Sequence, residues 1–226
     1  MRNLKKKKIY ELVEVHNNKR IPLSSKEREK LEKVYPYYGA QGIVDYVDSY
    51  IFDGQYILVA EDGENLRSNN KDICNLVNGK FWVNNHAHIL SANKQNITKY
   101  LFYNFNLIKF EPFVTGSAQP KLNKERLLGI ETYVHEKITQ QKIAAVLSAL
   151  DDKIELNNKI NAELEALAKT LYDYWFVQFD FPDEAGKPYK SSGGAMVWNE
   201  QLKREIPEGW EVKKLGELIE VKDGTH

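Results

Sequence analysis

From Glu136 to Phe176 the chain contains neither glycine nor proline, and Ile143, Leu147, Leu150, Ile154, Asn157, Asn161, Leu164, Ala168, Leu171 and Trp175 succeed one another at alternating spacings of four and three. That spacing keeps every one of these side chains on one stripe of an α-helix, and all but the two asparagines are apolar or aromatic. A helix of about 40 residues reaches roughly 60 Å at ~1.5 Å per residue, longer than one globular core can cover. The stripe therefore implies a partner helix, from this chain or another, over a long helix that merely packs on its own domain. Asn157 and Asn161 lie mid-seam, where paired polar groups fix register at some cost in stability. Phe181-Pro182 is the expected stop, giving a long helix over residues 136–180.

Before this helix the pattern is mixed. Residues 1–135 predict an α+β (mixed α/β) domain. Tyr35–Tyr38 reads as a strand entering the Gly39–Gly42 turn, and Asp53-Gly54 as a hairpin turn between Tyr50–Phe52 and Tyr56–Val59. Phe81–Val83 and His86–Leu90 read as a further strand region. Ile97, Leu101, Phe102, Phe105 and Ile108 predict an amphipathic helix over residues 97–110. After the long helix, residues 181–209 hold Gly186, Pro188, Gly193, Gly194, Pro207 and Gly209 and read as a linker.

A repeat then appears. Lys7-Lys8-Ile9-Tyr10-Glu11-Leu12-Val13-Glu14-Val15 recurs as Lys213-Lys214-Leu215-Gly216-Glu217-Leu218-Ile219-Glu220-Val221, 206 residues on, with six of nine positions identical. Residues 210–226 thus read as the start of a second unit of the first kind, cut off at His226.

Composition narrows the chemistry. The chain has 226 residues with 32 basic and 32 acidic side chains, but residues 1–33 carry 11 basic against 5 acidic, a basic start that permits contact with a polyanion. A single cysteine, Cys74, excludes an internal disulfide and a cysteine-rich zinc site, and it reads as a buried apolar residue. No apolar run approaches the ~20 residues of a membrane span, so the expected place is a reducing cytoplasm, with no membrane partner. Phosphate-loop and dinucleotide-turn motifs are missing from the sequence. Asp53, Glu61 and Asp62 lack the lysine two residues on that a metal-dependent nuclease pattern requires, and Tyr35-Pro36-Tyr37-Tyr38 lacks the polar first residue of an amino-methyltransferase loop. His86 and His88 would share one strand face without a further close ligand. No metal, cofactor or catalytic residue is expected. The remaining chemistry is that of polar loops able to touch phosphates or base edges. Lys19, Arg20, Lys26 and Arg28 are the expected phosphate contacts, and Gln41, Arg67, Asn69, Asn70 and Asn85 the expected base contacts.

Five segments, in order along the chain, resemble the specificity subunit of type I restriction–modification systems: Lys19–Pro22 with Tyr35–Ile43; Tyr50–Gly54 with Glu61–Gly63; Gly116–Leu122; Gln141–Leu147 with Leu171–Phe176; and Ile206–Gly216. The resemblance implies a non-catalytic DNA-recognition subunit. Such subunits carry two target-recognition domains, each followed by a long helix, and the two helices pair as an antiparallel spacer. Each domain reads one half of a bipartite site in double-stranded DNA, while methyltransferase (modification) subunits docked on the helices and a motor-nuclease (restriction) subunit do the chemistry. The partner-helix seam implied here runs through Ile143, Leu147, Leu150, Ile154, Asn157, Asn161, Leu164 and Leu171. This chain departs from the pattern in resembling one half of such a subunit: a truncated product, a rearranging fragment, or half of a homodimer reading a palindromic gapped site. The alternative reading is a fragment acting only as a coiled-coil assembly module.

Overall fold

The computed structural model describes residues 4–63, 66–67, 73–116 and 119–219. Two compact units emerge, residues 1–152 and 153–226, which share the long helix.

The first unit is built on a six-stranded sheet in the order β2-β7-β5-β6-β3-β4. Its strands are β2 (Val13–Val15), β3 (Tyr35–Gly39), β4 (Gly42–Val47), β5 (Phe52–Ala60), β6 (Cys74–Val83) and β7 (Ala87–Ala92). All neighbours are antiparallel except β3 and β6, which pair in parallel through Tyr37↔Trp82 and Tyr38↔Val83. A separate two-stranded ribbon joins β1 (Lys5–Lys8) to β8 (Glu131–Val134). Its basic strand is partly neutralised: Lys6 pairs with Glu131 of β8 at 2.6 Å, and Lys7 with Glu11 of the following turn at 2.6 Å. Part of the basic start is thereby engaged within the fold.

The expected Asp53-Gly54 hairpin is not a turn. β5 runs straight through it, and Gly54 faces Gly79 of β6 across the ladder, with φ of +130° and +80°. Two opposed glycines in the left-handed region let the ribbon bend where side chains would resist. The bend is demanded by the connectivity. Phe52 lies beside Phe81 and Ala60 beside Ala87. In a flat sheet Val83 and Ala87 would stand more than roughly 26 Å apart, but the four residue steps joining them reach at most ~14 Å. The sheet therefore curls. Backbone bonds close the curl, from Asn84 N–H to the Tyr38 carbonyl (3.0 Å) and from Glu61 N–H to the His86 carbonyl (2.9 Å). Inside it, Phe52 and Phe81 stack at 5.3 Å, with Tyr38 and Tyr56 edge-on to Phe81.

The larger core joins Ile57, Val59 and Leu90 of the sheet to Ile9 and Leu12, to Tyr100, Leu101 and Phe105 of α2 (Thr98–Asn106), and to Leu127 of α3 (Lys124–Gly129). The predicted helix over residues 97–110 is thus shorter. Its last residue, Asn106, brackets the buried Cys74, accepting from its N–H and donating to its carbonyl.

The long helix is present as α4 (Lys137–Tyr172), followed by a π-type turn over Asp173–Val177. Its foot is anchored by the buried Gln140. The amide donates to Asn96 Oδ1 and the His135 carbonyl, both at 2.8 Å, and accepts from Ile97 N–H at 3.0 Å. Further along, Leu150, Ile154 and Leu164 are each 57% exposed. Apolar side chains so placed are uncovered seam positions.

In the second unit the helix ends before Phe181-Pro182, at Phe179, whose φ of +63° turns the chain out of the helix. Residues 181–209, expected as a linker, contain a hairpin of β9 (Met196–Asn199) and β10 (Arg204–Pro207). Trp210 packs on Phe176, Phe179 and Phe181, the last in a stacked pair at 5.5 Å that Tyr189 extends. Asp180 accepts from the Ser191 N–H and hydroxyl, at 2.7 and 2.6 Å. The repeat's second copy forms a one-turn helix, α5 (Leu215–Leu218). Ile9, its counterpart in the first copy, is fully buried, whereas Leu215 is 64% exposed.

Candidate nucleic-acid interface

Five connections meet where the curled sheet closes: the Asn17–Lys19 turn, the Ala40-Gln41 turn between β3 and β4, the start of the loop after β5 at Glu61–Gly63, the Asn84–His86 loop between β6 and β7, and the bridged pair Thr115 and Lys121. One ion pair ties most of them together. Arg20 Nη1 meets Glu61 Oε2 at 2.7 Å, and both side chains are largely buried. The same nitrogen donates to the carbonyls of Asn85 and Ala87, both at 3.1 Å, and Nε donates to the Asn17 carbonyl at 3.1 Å. A planar guanidinium fits this work because its donors diverge in one plane toward a carboxylate and several carbonyls. Lys121 approaches the other Glu61 oxygen at 3.6 Å, and Leu122 N–H donates to the Glu61 carbonyl at 2.8 Å. Burial pushes the Glu61 carboxyl upward, but Arg20, aided by the charge of Lys121, outweighs it and holds the group below its ordinary range.

His88 completes the hub. It is buried, receives the Asn17 amide at Nδ1 (2.9 Å) and donates from Nε2 to the Leu122 carbonyl (2.7 Å). With one nitrogen accepting and the other donating, the ring is the neutral tautomer. Burial drives its pKa below 6.5, against the opposing pull of the Leu122 carbonyl and Glu61. His16, lowered first by burial and then by Lys19, has the same sign. An unfolded histidine takes up its proton near pH 6.5 and these folded ones do so only lower, so their contribution is complete above about pH 6.5 and is lost as pH falls below it. Urea midpoints should therefore drop between pH 7.5 and 5.5, and His88→Gln should flatten part of that slope. An unchanged slope in the variant would remove His88 from the account.

The expected site residues divide. Gln41 and Asn85 are exposed at turn tips, on connections that meet at the closure. Gly39 lets these connections approach, since a Cβ there would meet Val44 Cγ1 at 3.0 Å and Asn84 Nδ2 at 3.3 Å. Lys19 is exposed on the turn that Arg20 pins. Arg67 is exposed, with its guanidinium donating to the Gly116 carbonyl. Asn69 and Asn70 lie outside the described residues. Lys26 is exposed on α1 (Ser25–Arg28), a single turn begun by a Ser24–Glu27 capping box and set against β4. The two arginines expected to contact phosphates have other partners. Arg20 is the hub just described. Arg28 donates to Asp45 Oδ2 (2.9 Å) and the Leu23 carbonyl (2.5 Å) and lies over the Tyr37 ring at 4.8 Å, so it fastens α1 to the β3–β4 hairpin. Lys33, the Tyr46 N–H and Arg28 together hold the Asp45 carboxyl down to about 2.

His86 and His88 have separate partners, His86 pairing with Asp62 at 2.7 Å. Among the described residues no group of three or more potential ligands is placed to hold a metal, and no helix is long and apolar enough to cross a membrane. Two exposed members of this end are missing from the expected site residues: His86, which pairs with Asp62, and Lys121, which the sheet closure alone brings beside Glu61.

A curled mixed sheet whose loops converge on one polar end, followed by a long helix with an uncovered apolar stripe, is the arrangement of a recognition module joined to an assembly element. The chain belongs to the type I restriction modification DNA specificity domain family, whose model matches residues 1–166. It is 33% identical over 144 residues to a putative type I restriction enzyme specificity subunit of Haemophilus influenzae, covering 64% of this chain and 36% of that protein. It is 36% identical over 134 residues to the MjaIX specificity subunit of a type I restriction enzyme of Methanocaldococcus jannaschii, covering 58% and 29%. The fold is shared with the crystal structure of a type I restriction-modification S subunit from M. genitalium, at a TM-score of 0.62 and 20% identity, covering 81% of this chain and 47% of that one. The chain thus spans about a third of the length of these curated relatives and about half that of the solved subunit.

Proposed function

We propose that this chain is a non-catalytic DNA-recognition subunit that reads one half of a bipartite site in double-stranded DNA. The observation that carries this reading is the convergence of Lys19, Gln41, Arg67 and Asn85 on loops at the closed end of the sheet, within a DNA specificity domain family. Lys19, with Lys26 on α1, positions the domain on phosphates, while Gln41, Arg67 and Asn85 read base edges in the major groove. Arg20 and Arg28 act from behind, holding the loops in place. The uncovered stripe of α4 takes a partner helix, from a second half-subunit or a second copy, and docks methyltransferase subunits. These, with a motor-nuclease subunit, perform the chemistry in the cytoplasm. Residues 210–226 open a second recognition unit.

The test is a salt-titrated gel shift with a methyltransferase partner present. Phosphate neutralisation makes affinity fall steeply with salt. Lys19→Ala should weaken all sequences alike, whereas Gln41→Ala or Asn85→Ala should cost about 1–3 kcal/mol and relax one position of the modified motif. A salt-insensitive complex, or a motif unchanged in every such variant, would leave only the assembly role standing.

A further inference from the structure

The edge strand β4 carries one residue more than β3 can match. Tyr37 faces Asp45 and Tyr38 faces Ile43, so Val44 has no opposite residue. A bulge of this kind leaves the extra residue unpaired and re-aims its side chain. Here it breaks the in-and-out alternation of the strand: Ile43 and Val44 are consecutive yet both exposed, at 49% and 55%. It also sets the Val44 side chain beside Gly39, next to the loop between β6 and β7. A Cβ on Gly39 would stand 3.0 Å from Val44 Cγ1, 3.7 Å from its Cγ2 and 3.3 Å from Asn84 Nδ2. Two methyl groups and an amide nitrogen thus flank one small gap, at the end of the sheet where Gln41 and Asn85 are exposed.

The Asn84 amide has its direction fixed. Its backbone N–H donates to the Tyr38 carbonyl at 3.0 Å, and its Oδ1 accepts from the His86 N–H at 2.8 Å. Only the oxygen of an amide can accept, so Nδ2 is the end left over. It donates to no protein group among the described residues. A donor beside methyl groups is complementary to one base edge in the major groove. Thymine presents its O4 acceptor next to its C5-methyl group. Cytosine places a donor at that point, and neither purine carries a methyl.

We infer that Asn84 and Val44 together read one thymine of the half-site, with Nδ2 donating to O4 and the Val44 methyls packing on the C5-methyl. The inference rests on the DNA-recognition reading and names the base at one position of the site. Cytosine there sets two donors face to face, and uracil leaves the Val44 methyls without a partner.

Methylome sequencing of a host expressing the chain with its methyltransferase partner gives the half-site; one without an A·T pair overturns the inference at once. In a duplex of that sequence each thymine is then replaced in turn by uracil, and binding is followed by gel shift with the methyltransferase partner present. At one position uracil should weaken the parent roughly four-fold, the worth of one buried methyl. The same replacement should cost Val44→Ala nothing, and because Val44 is exposed the variant should melt with the parent. Asn84→Asp keeps the acceptor for the His86 N–H but has no donor, so at that position it should turn the preference from thymine to cytosine, whose N4 donates. Binding that tolerates uracil at every thymine, or a Val44→Ala chain as sensitive to uracil as the parent, overturns the inference and leaves the DNA-recognition role in place. A parent chain that forms no salt-sensitive complex with any duplex overturns both.

Discussion

Arg20→Ala should be the most damaging single substitution in the recognition unit. It removes a guanidinium that contacts one carboxylate and three carbonyls, and it strands Glu61, whose side chain is only 15% exposed. Breaking a buried pair from one side costs about 3–5 kcal/mol; residual solvent at this pair lowers the expectation to roughly 2–4 kcal/mol. Arg20→Lys should recover little, since one ammonium cannot span the separate carbonyls that the planar fork reaches. Removing both charges, as Arg20→Met with Glu61→Gln, should cost less than the sum of the single changes, because no unpaired carboxylate remains. Urea unfolding measures all of these. A loss below about 0.5 kcal/mol for Arg20→Ala would show that the hub does not hold the unit together. DNA affinity should fall with stability because Arg20 holds the loops in place, whereas Lys19→Ala should lower affinity alone.

That contrast marks where the sequence stops being legible. Arg20 and Arg28 look like exposed cations because their partners are far along the chain: Glu61 is 41 residues from Arg20, and Asp45 is 17 from Arg28. Only the curl of the sheet and the packing of α1 bring them together. The Asp53-Gly54 dipeptide signals positive φ correctly, but positive φ serves a bend within a paired ribbon as readily as a turn between strands. What separates the two is Gly79 on the neighbouring strand. Residues 181–209 read as a linker because glycine and proline exclude regular helix there, yet widely spaced aromatic residues assemble around Trp210 all the same. The long helix was legible because its information is local: a period of three and four without a breaker needs no distant partner to be recognised.

Ile154→Asp combined with Leu164→Asp should abolish association through the long helix while leaving the recognition unit folded. Both side chains are 57% exposed, so the isolated chain gives up little packing when they change. In a helix pair both side chains are buried, so a dimer of the variant carries four carboxylates in its seam. Burying an unpaired carboxylate costs several kcal/mol, and each 1.4 kcal/mol is about ten-fold in affinity, so four of them exceed what a helix pair of this length can offset. Sedimentation should find no dimer and no methyltransferase complex, and circular dichroism should find the unfolding midpoint of the recognition unit within about a degree of the parent. A complex that survives both substitutions would mean that assembly uses another face of the helix, and the exposed stripe of Val146, Ile160 and Leu167 would then be the surface to change next.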